Sequence, residues 1–512
     1  MVGTLACLRG IALLATAALG REVAMAENSA EISKEMYESG QVHKSLKAAR
    51  LAAWSKVEAA GVFNAAQYPE LGYTKCVNNF AEAIKGDRNN TFRCQNMDLY
   101  HFLNHADLGD LSGEGSSSWG WTSDTGREFV AIGQFQGTAF VEIGSDGKMK
   151  YLGRLPAYSE PSQWREIRTY KSFVVIGSEA RNHVNEELGY FAAVGGMSRN
   201  DPVCRSEFNF FDIKDPAKPV SLGCAAGDGY VHDAQCMVYH GPDKRYEGKD
   251  ICYGYNEDTM TIYDVSNKAN VTNTISKVTH PGARYIHQEW VLDSNNQEFI
   301  VLDDELDELR RAGQVADGFP VTYIVNIKDL TAPVVTGSYN LRHRGIDHNQ
   351  YVINGLNYQS SYGAGVRVFD VSSIPRDPTG KSVCEAAFFD LYPEDDALPG
   401  GGQVEFLGTW SSCAYFKSGY VFANSIERGA FVFKLTSRTC PRPSHCHQDN
   451  CLRAMTNRLP DAQRFCATFT QGPIAEPTVA PEFAQRGCAN TAHGPVTQRM
   501  SSACSCLPTP TP

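Results

Sequence analysis

The run VRVFDV at residues 366–371 decides how this chain folds, because copies of it recur along most of the sequence. The copies are NFFDI at 209–213, TIYDV at 261–265 and YIVNI at 323–327, with weaker versions FVEI at 140–143 and FVFKL at 431–435. β-Branched and aromatic residues dominate each copy, which is typical of a β-strand. The closest copies end in an acidic or amide residue followed by an aliphatic one.

A second strand-like segment accompanies these copies and begins at residues 128, 172, 190, 251, 298, 356 and 420. A paired-strand unit that recurs at intervals of roughly 45–65 residues is typical of propeller blades and not of a sandwich. The starts at 172 and 190 are too close together to hold a complete blade. The sequence therefore predicts an all-β fold, a β-propeller with six full blades or with seven of which the second is truncated.

The segments that flank the repeats differ from them in character. Residues 27–70 carry apolar residues at helical spacing and predict a helical N-terminal segment, broken near Gly40. The predicted propeller spans 71–436, and a Cys-rich tail spans 437–512.

The first 26 residues have the pattern of a secretory signal peptide. An apolar run at 11–19 is followed by small residues and an A-x-A site at 24–26. No later stretch reaches the length of a membrane-spanning helix, so we expect a secreted protein of the extracellular region or cell surface. The net charge of −11 disfavours nucleic acid as a partner. Sequons at Asn89 and Asn270 predict a glycoprotein.

Cysteine usage agrees with an oxidising compartment. The chain has 16 cysteines, of which Cys7 lies in the predicted signal peptide. The odd remainder leaves one thiol that is either free or paired with another chain. The crowded cysteines of the tail predict a disulfide knot, with zinc at 440–451 as the less favoured alternative. Two disulfides are predicted within the propeller region, Cys76–Cys94 and Cys236–Cys252.

Longer strings resemble a known family. They are YHFLNHADL at 100–108, HDAQC at 232–236, HQEW at 287–290, DHN at 347–349 and IERG at 426–429. Together with the repeat, they resemble the LVIVD-repeat, choice-of-anchor B family, particularly fungal members with Cys-rich tails. The resemblance implies an extracellular propeller and implies no established reaction.

Three histidines begin the first strands of successive predicted blades: His232, His287 and His348. His105 holds a corresponding place before the first blade. The innermost strands of a propeller line its channel, so these imidazoles should converge. Converging neutral imidazoles suit a transition metal such as zinc, iron or copper. The alternative is a ladder of hydrogen-bonded histidines that needs no metal.

Acidic residues suggest a second possibility, a carboxylate ring that binds Ca²⁺. The ring would combine the runs at 303–308 and 256–258 with Glu179 and Glu427. The alternative is that these carboxylates are solvated or cap loops.

Two functions from different classes follow from these patterns. The first is an extracellular binding or interaction module for an unidentified extracellular ligand or a cell-surface or wall component. The second is a metal-dependent extracellular enzyme, with the three histidines as ligands and Glu289 or Asp304 as a general base. A purely structural wall or matrix component is a third possibility. The sequence contains no nucleophile elbow, phosphate-binding glycine loop or HExxH motif.

Overall fold

The computed structural model describes most of the chain outside its two ends. The described residues are 35–158, 160–178, 181–185, 187–196, 198–271, 274–311, 313–315, 317–438, 440, 450–469, 480–489 and 496–507. The predicted signal peptide and Glu179 lie outside them. Within these ranges no helix is long and apolar enough to cross a membrane.

The strands form six four-stranded antiparallel blades and one two-stranded hairpin, which confirms the predicted β-propeller. Blade 1 contains β4 (Gly115–Thr122), β5 (Glu128–Gln134), β6 (Gly137–Ile143) and β7 (Met149–Pro156), and the hairpin that follows contains β8 (Arg165–Tyr170) and β9 (Phe173–Ser178). Blade 2 contains β10 (Arg181–Asn185), β11 (Tyr190–Val194), β12 (Phe208–Asp212) and β13 (Val220–Cys224). Blade 3 contains β14 (Asp233–Val238), β15 (Asp250–Tyr255), β16 (Met260–Asp264) and β17 (Thr274–Val278).

The remaining blades complete the ring. Blade 4 contains β18 (Ile286–Val291), β19 (Phe299–Asp304), β20 (Val321–Asn326) and β21 (Val334–Asn340); blade 5 contains β22 (Ile346–Ile353), β23 (Leu356–Tyr362), β24 (Gly365–Asp370) and β25 (Cys384–Phe389), extended at its outer edge by β2 (Thr91–Gln95) and β1 (Phe80–Glu82); blade 6 contains β26 (Thr409–Cys413), β27 (Tyr420–Ser425), β28 (Gly429–Leu435) and β3 (Met97–Asn104).

The first strands of successive sheets contact one another around a closed ring. Their order is β4, β8, β10, β14, β18, β22 and β26, and β26 contacts β4 again. Blade 6 takes its outermost strand from the N-terminal side of the chain, with Phe431 opposite Phe102 in the β28–β3 ladder. The ring is therefore closed by strand pairing between its two ends.

The hairpin explains the close spacing at residues 172 and 190. The segment after 172 forms β9, the second strand of the hairpin, whereas Tyr190 begins β11, the second strand of blade 2. The hairpin keeps the two strands nearest the axis and has no outer pair. The hairpin, which follows blade 1 in the ring and precedes the sheet labelled blade 2, is the truncated blade that the sequence predicts.

The repeat itself forms β24 and shows why this sequence builds a propeller. Val366 and Val368 are fully buried in a cluster shared with blade 6. Phe369 packs in another cluster, shared with blade 4. Both faces of the strand are thus covered by neighbouring blades, which favours bulky apolar residues on both sides.

The acidic or amide residue of each close copy closes a turn. Asp370 accepts hydrogen bonds from the backbone N–H of Ser372 at 3.0 Å and from its hydroxyl at 2.6 Å. Asp212, Asp264 and Asn326 accept the N–H two residues further on in the same way. This Asx turn ends the strand and leads into the next loop.

The helices lie outside the blades. A helical turn at 35–38 ends at Gly40, whose φ of 73° breaks the helix as predicted, and α1 follows at Gln41–Ala59. A short helix, α2 (Asp307–Arg310), follows β19. The tail contains α3 (Asn450–Thr456), α4 (Leu459–Phe469), α5 (Glu482–Cys488) and α6 (Val496–Ser505).

The structure forms both disulfides predicted within the propeller region. All the pairs among the described residues are Cys76–Cys94, Cys204–Cys224, Cys236–Cys252, Cys384–Cys440, Cys451–Cys488 and Cys466–Cys504. The Cys384–Cys440 bond joins blade 5 to the start of the tail, a link that the sequence does not predict. Cys413 on β26 is buried and free. Asn89 and Asn270 are exposed, and their glycosylation stays a prediction.

Candidate metal centre

Three of the predicted histidines meet at the axis of the propeller. His232 immediately precedes β14, whereas His287 lies on β18 and His348 on β22. The ring centroids of His232 and His287 are 4.8 Å apart, and those of His287 and His348 are 4.4 Å apart. All three side chains are buried. The propeller therefore brings together residues that are more than fifty positions apart in sequence.

Glu305, at the end of β19, supplies a carboxylate to this cluster. Its Oε2 lies 3.8 Å from Nε2 of His287, and its Oε1 lies 3.5 Å from Nε2 of His348. One potential ligand atom from each of His232, His287 and Glu305 falls within 4.8 Å of the other two. Two ligands of one tetrahedral zinc ion are about 3.4 Å apart, so small movements would allow coordination. We call these four residues the axial cluster.

Hydrogen bonds to backbone carbonyls orient two of the imidazoles. His287 donates from Nδ1 to the carbonyl of His348 at 2.9 Å, and His348 donates from Nδ1 to the carbonyl of Trp410 at 2.7 Å. A carbonyl only accepts, so both Nδ1 atoms carry hydrogen, and the neutral rings have their lone pairs at Nε2. Metal-binding histidines are commonly fixed in this way.

Tyrosine hydroxyls hold the third imidazole. Nδ1 of His232 lies 2.8 Å from the hydroxyl of Tyr285 and 3.0 Å from that of Tyr230. Tyr285 in turn lies 2.7 Å from Nδ1 of His43 on α1. Hydroxyls both donate and accept, so these contacts are compatible with a His232 lone pair at Nε2.

Helix α1 covers the axial cluster and introduces a positive charge. Arg50 is 2% exposed and forms an ion pair with Glu305. Its guanidinium lies 5.2 to 5.9 Å from the centroids of three aromatic rings, those of Phe406, Trp410 and Tyr362. Trp54 fixes the helix by donating from its indole N–H to the carbonyl of Phe406 at 2.8 Å. The carboxylate of Glu305 thus has a counter-charge from the chain itself.

His105 lies apart from the axial cluster, which corrects its predicted grouping with the other histidines. Its Nε2 donates to the carbonyls of Ser425 and Ile426 at 3.0 and 3.1 Å. Its Nδ1 accepts from the Gln134 amide at 3.3 Å. Burial lowers the pKa of His105 to about 4. The two nitrogens of His105 therefore link Gln134, at the end of β5, to Ser425 and Ile426, at the end of β27. The residue precedes blade 1 and lies outside the ring of first strands.

The two predicted general bases differ in their surroundings. Asp304 accepts backbone N–H bonds from Arg284 and Tyr285 at 2.6 and 2.8 Å. Glu289 is buried within β18, and burial raises its pKa well above the usual range. The carboxylate that faces Nε2 of His287 and of His348 is that of Glu305, and Asp303 lies on the other side of His287, 3.5 Å from its Nδ1.

Among the described residues, the carboxylates predicted to form a single ring have separate partners. Glu257 accepts two hydrogen bonds from the Arg199 guanidinium, at 3.0 and 2.9 Å. Glu427 accepts from the N–H of Gly408 and the hydroxyl of Ser425. These residues have local donors, which corresponds to the loop-capping alternative. The 303–308 run forms a cluster of its own, described below.

Comparisons with known proteins give little further information. No family model and no curated protein matches the chain. Among solved structures, the chain is similar to the β-propeller domain of Cps50 (Swd1) from Myceliophteria thermophila, at 11% identity over 63% of this chain and 97% of that one, with a TM-score of 0.37. It is also similar to the computationally designed protein Ika8, at 11% identity over 72% of this chain and 96% of that one, with a TM-score of 0.37. The assignment of the fold rests on the strand pairing described above.

Proposed function

We propose that this protein is a secreted β-propeller of the LVIVD-repeat, choice-of-anchor B type, which acts as an extracellular binding module with a transition metal at its axis. The observation that carries the metal is the axial cluster, in which three buried imidazoles surround Glu305. The propeller fold supports an interaction module in general terms. The ligand belongs to the extracellular medium, the cell surface or the wall.

Several features support secretion. The N-terminal leader pattern, the disulfides and the exposed sequons all fit a protein that matures in an oxidising compartment. Such proteins acquire metal from their surroundings through sites of matched donors. Nitrogen donors from imidazole with one carboxylate favour zinc, iron or copper over calcium.

The enclosure of the axial cluster favours a structural metal over a catalytic one. His287, His348 and Glu305 have fully buried side chains, and Arg50 lies against the carboxylate. Catalytic zinc sites keep one position for water, whereas structural sites fill all four with protein ligands. His232, His287 and Glu305 would fill three positions, and His348, whose Nε2 lies 3.5 Å from Glu305, is the candidate for the fourth.

Metal analysis tests the proposal. The full chain, secreted from a eukaryotic host, should contain about one mole of transition metal per mole of protein by mass spectrometry. His287→Gln and His348→Gln should lose most of it. The matched control is His240→Gln, since His240 is a half-exposed histidine outside the cluster. Metal-free wild-type protein that does not take up Zn²⁺ or Co²⁺ would refute the metal site without any variant.

The alternative, a metal-dependent enzyme, has one observation in its favour. His232 borders a small pocket that is also lined by Trp164, Tyr230 and Lys47. An enzyme needs an exchangeable coordination position there. Azide should leave the visible spectrum of Co²⁺-loaded protein unchanged if the site is closed, whereas an azide-dependent shift would favour the enzyme.

A further inference from the structure

A second group of buried ionisable residues lies beside the axial cluster. Asp304 ends β19, Asp307 and Glu308 lie on α2, and Asp347 lies on β22 of the neighbouring blade. Each of these four is at most 1% exposed. His280, 3% exposed, completes the group, which we call the acid cluster.

The acid cluster has the geometry of a cation site on one side. Nε2 of His280 lies 3.2 Å from Oδ2 of Asp304. One potential ligand atom from each of His280, Asp304 and Asp307 falls within 4.8 Å of the other two. Tyr323 fixes two of these groups, because its ring stacks on His280 at 3.8 Å between centroids and its hydroxyl donates to Asp307 at 3.2 Å.

Several polar atoms of the acid cluster either face one another or have no hydrogen-bond partner within the described part of the chain. They are Nδ1 of His280, both carboxylate oxygens of Glu308, both of Asp347, and Oδ1 of Asp307. Buried polar atoms are nearly always hydrogen bonded in folded proteins. Such a concentration of lone pairs in one place indicates that the cluster binds a group other than the protein.

The acid cluster has four carboxyl groups and one basic side chain, His280, which contacts Asp304. No lysine or arginine among the described residues forms an ion pair with Asp307, Glu308 or Asp347. A divalent cation would supply the missing positive charge, since carboxylate oxygens are the ligands that such hard cations prefer.

We propose that the acid cluster of His280, Asp304, Asp307, Glu308 and Asp347 binds an oxygen-preferring divalent cation. The cation joins the loop after β19 to the first strand of blade 5, and so links two neighbouring blades. This site is separate from the axial cluster: Asp304 and Glu305 are adjacent in sequence, but their side chains contact different histidines.

The test uses the full chain after removal of metal with EDTA. Ca²⁺ and Mn²⁺ are titrated separately by calorimetry, and the melting temperature is followed in parallel. We expect binding with one site per chain and a rise in melting temperature. Asp347→Asn and Glu308→Gln should weaken binding at least tenfold, and His280→Ala should weaken Mn²⁺ more than Ca²⁺.

Two controls keep this result separate from the axial metal. His287→Gln should still bind Ca²⁺ or Mn²⁺ and still show the rise in melting temperature. Glu427→Gln should do the same, because Glu427 is a buried carboxylate outside the acid cluster that already has local hydrogen-bond donors. The Asn and Gln variants remove like charges, so they should fold. Wild-type protein that binds neither ion would overturn the proposal and show that the acids are protonated instead.

Discussion

Glu305 and Glu308 lie three residues apart near the axis of the propeller, and both are fully buried, yet the charges around the two carboxyl groups are opposite. Glu305 faces imidazoles and forms an ion pair with Arg50 of α1. Glu308 lies against Asp307 and Asp347, with no ion pair to a basic side chain in the described chain. The cost of burying an anion is thus met in two ways, by a cation built into the chain and by one taken from solution.

The largest effect should come from removing the built-in cation. Arg50→Met leaves Glu305 buried without its ion-pair partner, so we expect a loss of about 3–5 kcal/mol in the free energy of unfolding. Chemical denaturation of metal-free protein measures this value. Zn²⁺ should restore part of the loss, because it binds the same carboxylate.

Lys56 provides the control on the same helix. Its amino group lies 3.5 Å from Glu405 at the surface, so Lys56→Met should change the stability by at most about 0.5 kcal/mol. Equal losses for the two variants would mean that α1 contributes packing alone and that the Arg50–Glu305 pair is energetically neutral.

The histidine outside the axial cluster should give the next largest effect. The pKa of His105 is about 4 in the folded protein against 6.5 for an unperturbed histidine. Between these values the unfolded chain binds the proton and the folded chain does not, so stability falls as the pH is lowered from 6.5 to 4. The loss amounts to about 3 kcal/mol.

A substitution isolates this contribution of His105. His105→Gln keeps polar atoms near Ser425 and Gln134 and should flatten the pH profile over that interval, as measured by denaturation at a series of pH values. A His240→Gln control should keep the full slope. An unchanged slope in His105→Gln would mean that other groups cause the acid sensitivity.

Neutralising Glu308 should have a smaller effect, and of the opposite sign to the loss of Arg50. In EDTA, Glu308→Gln removes a carboxyl from a group of buried acids, and burial already raises its pKa and disfavours its charged form. We therefore expect a gain of at most about 1 kcal/mol at neutral pH. Glu305→Gln should instead destabilise the protein, since it leaves Arg50 without its anion. Destabilisation by both variants would show that the two carboxylates have equivalent surroundings.

The smallest effect concerns the free thiol of blade 6. Burial raises the pKa of Cys413 to about 11, so a thiol reagent should label it only when the blade opens. The axial cluster contacts β26 through the His348–Trp410 hydrogen bond, whereas the acid cluster contacts blades 4 and 5. Zn²⁺ should therefore slow labelling a few-fold more than Ca²⁺; equal slowing would mean that blade 6 responds only to global stability.

The VRVFDV unit and the strand-like segment that accompanies it predict the propeller, and the close starts of that segment at 172 and 190 predict the truncated second blade. Such prediction succeeds because the unit's apolar residues are needed at every interface between blades. The convergence of His232, His287 and His348 followed from the same geometry, since each begins a first strand. The predictions of strands and blades that rest on periodicity are therefore confirmed.

The remaining parts of the axial cluster depend on contacts that periodicity does not encode. Arg50 reaches the hub because α1 crosses the end of the channel, and nothing in the helical pattern indicates where the helix docks. Glu305 belongs to an acidic run for which the sequence leaves open a calcium-binding ring and loop-capping carboxylates. The strand ends at Asp304, so the turn after it decides which carboxylate faces which histidine. The sequence misplaces His105 for a related reason: it follows β3, which is the outermost strand of blade 6.

The origin of β3 has a consequence for biosynthesis. The strand emerges from the ribosome before any blade, but its partner β28 is among the last segments of the propeller to be made. The ring cannot close until nearly the whole propeller has been synthesised, and α1 must wait with β3 for the strands that form its docking surface. During most of its synthesis the ring of blades is thus open, and the segments made first need protection from aggregation. A chain whose synthesis is interrupted cannot close the ring.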